Sequence, residues 1–341
     1  MRIGIVNDMP MALELLRRII SKMPEHEVAW FALDGEAAIL KCSKDRPDLI
    51  LMDLIMPGIN GVETTRRIMQ ETPCAIMVVT ASVEANQALA FEALSAGAID
   101  VVKTPVASIE EEFAPFQKKI YNISRIVGNG ETAAESNINS RESAVSNKAE
   151  EVSEALLIGI GASTGGPAAV VEVLKSLPAS FPAALVVVVH VDEEFAPGMA
   201  EWMNSQINLP VHLVREGERP KAGEVLFAAT NEHLVLNHYQ KLHYTPEPVS
   251  CHYRPSVDAF FSSLTRNWRG GAIGVLLTGM GRDGAQGLKS MRENGWQTIA
   301  QDEGSSAIYG MPKAAAMIGA ASKILSLENI GPELIRMTKK L

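Results

Sequence analysis

Three side chains in the second half of the chain, Ser163, His190 and Asp283, are of the types needed for acyl transfer. A serine hydroxyl is a weak nucleophile at neutral pH. It becomes effective when an imidazole takes its proton and a carboxylate holds that imidazole. Each of the three follows an apolar, strand-like run. Ala155–Ile160 leads into Gly161-Ala162-Ser163-Thr164-Gly165-Gly166-Pro167, Ala184–Val189 ends on His190, and Ala272–Thr278 leads into Gly279-Met280-Gly281-Arg282-Asp283-Gly284, with a helix expected from near Ala285. Gly161, Gly165 and Gly166 permit a tight turn and close backbone approach. Pro167 suits the start of a helix whose apolar face is Val170, Val171, Val173, Leu174 and Leu177. Ser163 then lies among the unpaired N–H groups of a helix N-terminus, a setting that favours an anion or an oxyanion. A nucleotide-phosphate loop fits poorly, because Gly159-x-Gly161-x-x-x-Gly165 is not the dinucleotide fingerprint and no Gly-Lys-Ser/Thr follows. Taken alone, the turn is equally compatible with an idle serine; the histidine and carboxylate at other strand ends favour the nucleophile. The chain order Ser–His–Asp and the lack of a Gly-x-Ser-x-Gly elbow separate it from ordinary α/β-hydrolases.

A second group of reactive residues lies in the first half. Asn7 and Asp8 follow a strand-like run at Arg2–Val6, Asp53 follows Leu49–Met52, Thr80 follows Ala75–Val79, and Lys103 comes after Ile99–Val102. Two carboxylates from separate strands suit a hard cation such as Mg²⁺. A hydroxyl and a lysine nearby could hold a phosphoryl group.

The elements that must position these groups are parallel sheets. Residues 1–124 alternate strand and helix five times, with Val28–Ala32 as the remaining strand and helical patterns at Met11–Ser21, Gly61–Glu71 and Glu84–Ala96. In such sheets function collects at the carboxyl ends of the strands. Residues 125–153 lose the apolar pattern and turn to Ser, Asn, Glu and Ala, which reads as a flexible tether reaching on the order of 30 Å for about 27 residues. Residues 154–341 resume long β-branched runs, as expected for strands buried on both faces. The 341 residues suit two domains, and the charge of −9, spread along the chain, argues against general nucleic-acid binding. The longest apolar run, Ala183 to Val189, is far short of a membrane span. Cys42, Cys74 and Cys251, far apart in sequence, read as reduced cytoplasmic thiols. Trp202, Trp268 and Trp296 read as core anchors.

Over its whole length the first region resembles a response-regulator receiver domain of the flavodoxin-like fold, through Met52-Asp53-Leu54-Ile55-Met56-Pro57-Gly58-Ile59-Asn60-Gly61. The resemblance implies Asp53 as phosphoacceptor, Asp8, Asp53 and the Ile55 carbonyl as Mg²⁺ ligands, Thr80 as switch hydroxyl and Lys103 as phosphoryl-side lysine. Two positions depart from that pattern. Asn7 stands where a second acid is usual, and Thr104, not Lys103, directly precedes Pro105. Neighbouring strand residues face opposite sides, so whether Lys103 reaches the phosphoryl group depends on the pleat.

From about Ala155 onward the chain resembles the catalytic domain of chemotaxis-type protein-glutamate methylesterases, the CheB family, a doubly wound parallel-sheet domain. The matching segments are the Ser163 turn, His190, His252-Tyr253-Arg254-Pro255-Ser256-Val257-Asp258, Leu277 to Ala285, Ala300-Gln301-Asp302-Glu303 and Tyr309-Gly310-Met311-Pro312. The Asn7-Asp8-Met9-Pro10 start and Thr104-Pro105 look closer to the branch called WspF, of surface-sensing pathways. The resemblance implies a cytoplasmic enzyme acting on methyl-accepting chemoreceptors, releasing methanol and also deamidating glutamines. It further implies phosphorylation by a CheA-type histidine kinase, no cofactor for hydrolysis, and an unphosphorylated receiver that covers the cleft. Backbone N–H groups near Met280 and at the Ser163 turn would stabilise the oxyanion, and Thr164 would orient Ser163 or cap the helix. The rival is a catalytically silent regulator acting by binding receptor or kinase.

Overall fold

The computed structural model describes residues 1–81, 83–105, 113–127, 156–191, 193–249, 251 and 253–339. The expected tether lies almost wholly outside the described residues, as do Asp192 and His252.

The first domain runs β1 (Arg2–Val6), α1 (Pro10–Ser21), β2 (Glu27–Ala32), α2 (Gly35–Lys44), β3 (Leu49–Met52), α3 (Gly61–Glu71), β4 (Ala75–Thr80), α4 (Val83–Ser95), β5 (Asp100–Lys103) and α5 (Phe113–Val127). Its five strands are parallel in the order β2-β1-β3-β4-β5. The apolar strands are buried on both faces because helices cover both. Caps follow local chemistry: Asp34 accepts from Ala37 N–H to start α2, and Asn60 from Glu63 N–H to start α3. The last helix continues to Val127, beyond the expected boundary at 124.

The second domain runs β6 (Leu157–Ala162), α6 (Gly166–Lys175), β7 (Ala184–Val189), α7 (Ala196–Gln206), β8 (Val211–Leu213), β9 (Val225–Phe227), β10 (His233–Leu236), β11 (Leu242–Thr245), α8 (Val257–Asn267), β12 (Ala272–Leu276), α9 (Ala285–Glu293), β13 (Gln297–Gln301), α10 (Met311–Met317), β14 (Lys323–Leu325) and α11 (Leu327–Thr338). Seven strands form one parallel sheet in the order β14-β13-β12-β6-β7-β9-β8, and β10 and β11 form an antiparallel hairpin. From β6 the sheet grows outward through β7 on one side and β12 on the other. The crevice between these directions is the switch point of a doubly wound sheet, where ligands bind.

One residue expectation gains a detail from the fold and another changes. Cys42 on α2 and Cys74 before β4, distant in sequence, place their thiols in contact; both are free, and the contact with Cys74 lowers the Cys42 thiol from its ordinary value. Trp268 is buried in the core, but Trp202 on α7 stacks on Phe91 of α4, across the boundary between domains.

Candidate active site

Register brings the serine and the histidine together. Strand β6 pairs with β7 so that Ala162 lies opposite Val189, and the next residues on each strand are Ser163 and His190. Strand β12 pairs with β6 on the other side, Leu276 opposite Gly161, so the loop carrying Asp283 leaves from the same rim. His190 therefore has Ser163 on the adjacent strand and Asp283 two strands away. The imidazole spans that gap: Nδ1, nearer the backbone, is 3.1 Å from Ser163 Oγ, and Nε2 is 2.7 Å from Asp283 Oδ2. The carboxylate can only accept, so Nε2 carries the proton and Nδ1 is left to accept the Ser163 hydroxyl. The two ring edges are used in the reverse sense of the template in which Nε2 faces the serine.

Asp283 is held at the N-terminus of α8. Its Oδ1 accepts from Ser256 Oγ at 2.8 Å and Asp258 N–H at 3.1 Å, and its Oδ2 from Val257 N–H at 2.7 Å. Burial alone would raise its carboxyl. The bond to His190 and the backbone N–H groups of Asp258 and Val257 outweigh burial and hold it below the usual carboxylate range. Ser256 caps α8 through Ala259 N–H, and its own N–H is taken by Nδ1 of the buried His233. Burial lowers the His233 imidazole, in keeping with a neutral ring that accepts at Nδ1 and donates from Nε2 to the Pro248 carbonyl.

The Ser163 turn needs its glycines. Gly165 adopts φ +73°, and Gly279 lies so close that an added Cβ would be 2.8 Å from Ser163 Cβ. This approach sets the Gly279 backbone against Ser163. Thr164 does not cap α6. The N-cap is Gly165, without a side-chain bond, because the left-handed turn carries the chain into the helix one residue after Thr164. The Thr164 carbonyl instead lies 3.1 Å from the Thr278 hydroxyl, and the Thr278 N–H donates to buried Gln301.

In the first domain, Asn7 is buried and donates from Nδ2 to Asp53 Oδ2 at 2.9 Å, while its Oδ1 accepts from Met9 N–H. Burial, helped by the charge of Asp8 and opposed by the N–H groups of Leu54 and Ile55, pushes the Asp53 carboxyl up to about 6. Asp8 lies near enough for its charge to act on Asp53; two carboxylates of this kind suit Mg²⁺, whose charge would offset their repulsion. Thr80 is fully buried and accepts from Asn86 Nδ2 at 2.9 Å. Lys103 is exposed, with Nζ 3.6 Å from Glu194 Oε2 of the second domain. The pleat thus aims Lys103 across the domain boundary, while the next residue, Thr104, donates its N–H to the Thr80 carbonyl.

The two sites are joined by a direct contact between domains. Gly165 N–H, in the Ser163 turn, donates to the Ile99 carbonyl of the first domain at 3.0 Å. Phe91 stacks on Trp202 with centroids 5.6 Å apart, and Gln87 on α4 packs against Gly198 on α7. Ser163 and His190 line a cavity of about 30 Å³ together with Phe91, Leu94, Ile99, Asp100 and Lys119 of the first domain. That volume admits a water or two and no substrate side chain.

A family model described as CheB methylesterase matches residues 158–334, and one described as response regulator receiver domain matches residues 3–111. The chain belongs to the CheB methylesterase family. It is 53% identical to protein-glutamate methylesterase/protein-glutamine glutaminase 3 of Pseudomonas aeruginosa, covering 98% of both chains. It is also 53% identical to the protein-glutamate methylesterase/protein-glutamine glutaminase of group 3 operon of Pseudomonas putida, covering 100% of both. The crystal structure of the Thermotoga maritima CheB methylesterase catalytic domain matches with a TM-score of 0.52 at 32% identity, over 55% of this chain and 100% of that one. The fold is that of a receiver followed by a CheB catalytic domain, as the sequence motifs imply.

Sequence reasoning singled out Ser163, His190 and Asp283 but gave no roles to Ser256, Asp258, Tyr253 or Gln301. One signal was available: Ser256 ahead of Val257-Asp258 and the apolar Phe260, Phe261 and Leu264 is an N-cap signature. What that helix start would hold depended on the sheet order.

Proposed function

We propose that this chain is a phosphorylation-regulated methylesterase that hydrolyses methyl-esterified glutamates on methyl-accepting chemoreceptors, and that the same machinery deamidates receptor glutamines. The observation that carries this reading is the Ser163–His190–Asp283 relay on one sheet rim, beneath a receiver domain. Ser163 Oγ attacks the ester carbonyl as its proton passes to His190 Nδ1. Asp283, already ionised, stabilises the imidazolium through Nε2–H. The Met280 N–H and an N–H of the Ser163 turn stabilise the oxyanion, each such donor typically contributing roughly 3–4 kcal/mol. The imidazolium returns the proton to the departing methoxide, giving methanol and a glutamyl-serine ester. Water, deprotonated by the same Nδ1, then cleaves that ester to glutamate and free Ser163. With glutamine the leaving group is ammonia.

The receiver supplies regulation. Asp53 accepts a phosphoryl group from a CheA-type histidine kinase in the cytoplasm; Asp8, Asp53 and the Ile55 carbonyl would hold Mg²⁺, which would supply charge neutralisation. Thr80 answers the phosphoryl group, and through Asn86 it is tied to α4, the helix that packs on the catalytic domain. Lys103, engaged with Glu194, acts at the domain boundary and not on the phosphoryl group. Asn7 and Thr104 support placement in the WspF-like branch.

Methanol release from methylated receptor membranes tests the reading, using wild type, Ser163→Ala and Asp53→Asn with and without a small-molecule phosphodonor. Release is expected to vanish in Ser163→Ala and to rise with phosphodonor only when Asp53 is present. No release from wild type under any condition would favour a catalytically silent regulator.

A further inference from the structure

The relay fixes both nitrogens of His190 but says nothing of what holds the plane of its ring. That plane matters, because an imidazole tilted about its side-chain axis loses both contacts together. Tyr253 lies flat against the ring, with centroids 4.6 Å apart and planes 6° from parallel. It comes from the short segment ahead of α8, and that same segment surrounds Asp283 with Ser256 Oγ and the N–H groups of Val257 and Asp258. On its far side the Tyr253 hydroxyl reaches the Gly279–Gly284 loop: an added Cβ at Gly281, where φ is +83°, would be 2.9 Å from it. One stretch of chain therefore grips the carboxylate and the imidazole at once, and the glycine loop limits how far Tyr253 can move.

We propose that Tyr253 is a positioning residue for His190, holding the imidazole plane so that Nδ1 meets Ser163 and Nε2 meets Asp283, and presenting a π face to the imidazolium formed during attack. The proposal rests on the Ser163–His190–Asp283 reading. A cation within about 6 Å of an aromatic centroid is attracted by the ring quadrupole, so the stacked face favours the charged ring over the neutral one. It also blocks rotation of the ring, which would have to sweep through the Tyr253 plane. Tyr253 makes no proton transfer in this scheme, and its hydroxyl is dispensable for the stacking. Other charged groups at this rim are Asp283 and Arg282 on the glycine loop, Arg254 and Asp258 around the start of α8, Glu193 and Glu194 after β7, and Asp100 and Lys119 from the receiver. All remain in place in the variants below.

The test is steady-state methanol release by the full chain, with phosphodonor, across pH 5.5–9, for wild type, Tyr253→Phe, Tyr253→Leu and Ser163→Ala. Tyr253→Leu is expected to lower kcat roughly 5–30-fold, in line with a desolvated cation–π contact, with KM within about twofold of wild type because no substrate contact is lost. The acid limb of its kcat/KM profile should move to lower pH, because the imidazolium has lost its favourable face. Tyr253→Phe should restore kcat and the position of that limb. Wild-type kcat and an unmoved limb in Tyr253→Leu would overturn the proposal, as would a Tyr253→Phe variant as slow as Tyr253→Leu. Should Tyr253→Leu lose its cooperative thermal transition, Tyr253→Trp against Tyr253→Met makes the same comparison of a π face with none. Ser163→Ala keeps the two readings apart: if it still releases methanol, the triad assignment fails, whatever Tyr253 does.

Discussion

At the scale of single residues, Asp258 and Asp283 are two buried carboxylates with opposite fates. They exchange helix ends. Asp283, just before α9, accepts N–H groups from the first turn of α8, and Asp258, in that turn, accepts Gly287 N–H from the first turn of α9. Asp283 also has the Ser256 hydroxyl and His190, so it takes the negative charge. Burial first, and then the charge on Asp283, push the Asp258 carboxyl up to about 7, despite N–H bonds from Gly287, Gly284 and Gln286. In the unfolded chain Asp258 titrates in the usual carboxylate range, so between there and about 7 the folded state binds more protons. Stability contributed by this group is therefore lost as pH rises through that window. Asp258→Asn keeps an acceptor for Gly287 N–H and removes the charge. It should raise the melting temperature of the catalytic domain by several degrees at pH 8, on the usual scale of ~2–4 °C per kcal/mol for a domain of this size. The gain should shrink towards zero near pH 4. Thermal melts at both values check this, and a gain independent of pH would show that ionisation of Asp258 is not its cause.

At the scale of elements, helices α4 and α7 carry the contact between domains. Gly198 on α7 permits it, because an added Cβ would stand 2.2 Å from Gln87 Oε1. The obstacle is the end of a flexible side chain, so Gly198→Ala should be absorbed by a shift of Gln87 and change basal methanol release less than about twofold. Gly198→Leu cannot be absorbed that way. Overpacking typically costs ~1–3 kcal/mol, and relief by lifting α4 would expose Ser163. Basal release without phosphodonor should then rise roughly tenfold. Loss of the Phe91–Trp202 stack gives a second readout, a change in the Trp202 contribution to fluorescence against a Trp202→Phe control. Unchanged release in Gly198→Leu, with the domain still folded, would remove α4 from the gate.

At the scale of the whole molecule, the receiver and the catalytic domain share one surface, with the Ile99 carbonyl on the Ser163 turn and the Asp100–Lys119 ion pair at the cavity. An active site roofed in this way is open only in the fraction of molecules whose receiver has moved, and its apparent activity scales with that fraction. Deleting residues 1–150 should therefore raise basal methanol release and abolish its dependence on phosphodonor. A truncated enzyme no faster than the full-length chain would show that the contact does not limit access.

The sequence by itself determined the two α/β units, the strand ends and the residues on them. Periodic apolar runs mark strands, and in a parallel sheet every strand ends on the same rim, so Ser163, His190, Asp283, Asp8 and Asp53 could each be assigned to a rim from local pattern alone. Which strands are neighbours is not written in any local pattern. Only the order β12-β6-β7 set His190 between Ser163 and Asp283, turned Nδ1 and not Nε2 towards the serine, and brought the start of α8 around the carboxylate. Lys103 could not be directed from sequence for the same reason: its partner Glu194 lies in another domain, and contacts between distant segments are settled by packing of whole surfaces. The placement of Tyr253 on the imidazole and the closing of the cleft by Phe91, Ile99 and Gly198 belong to that tertiary level as well.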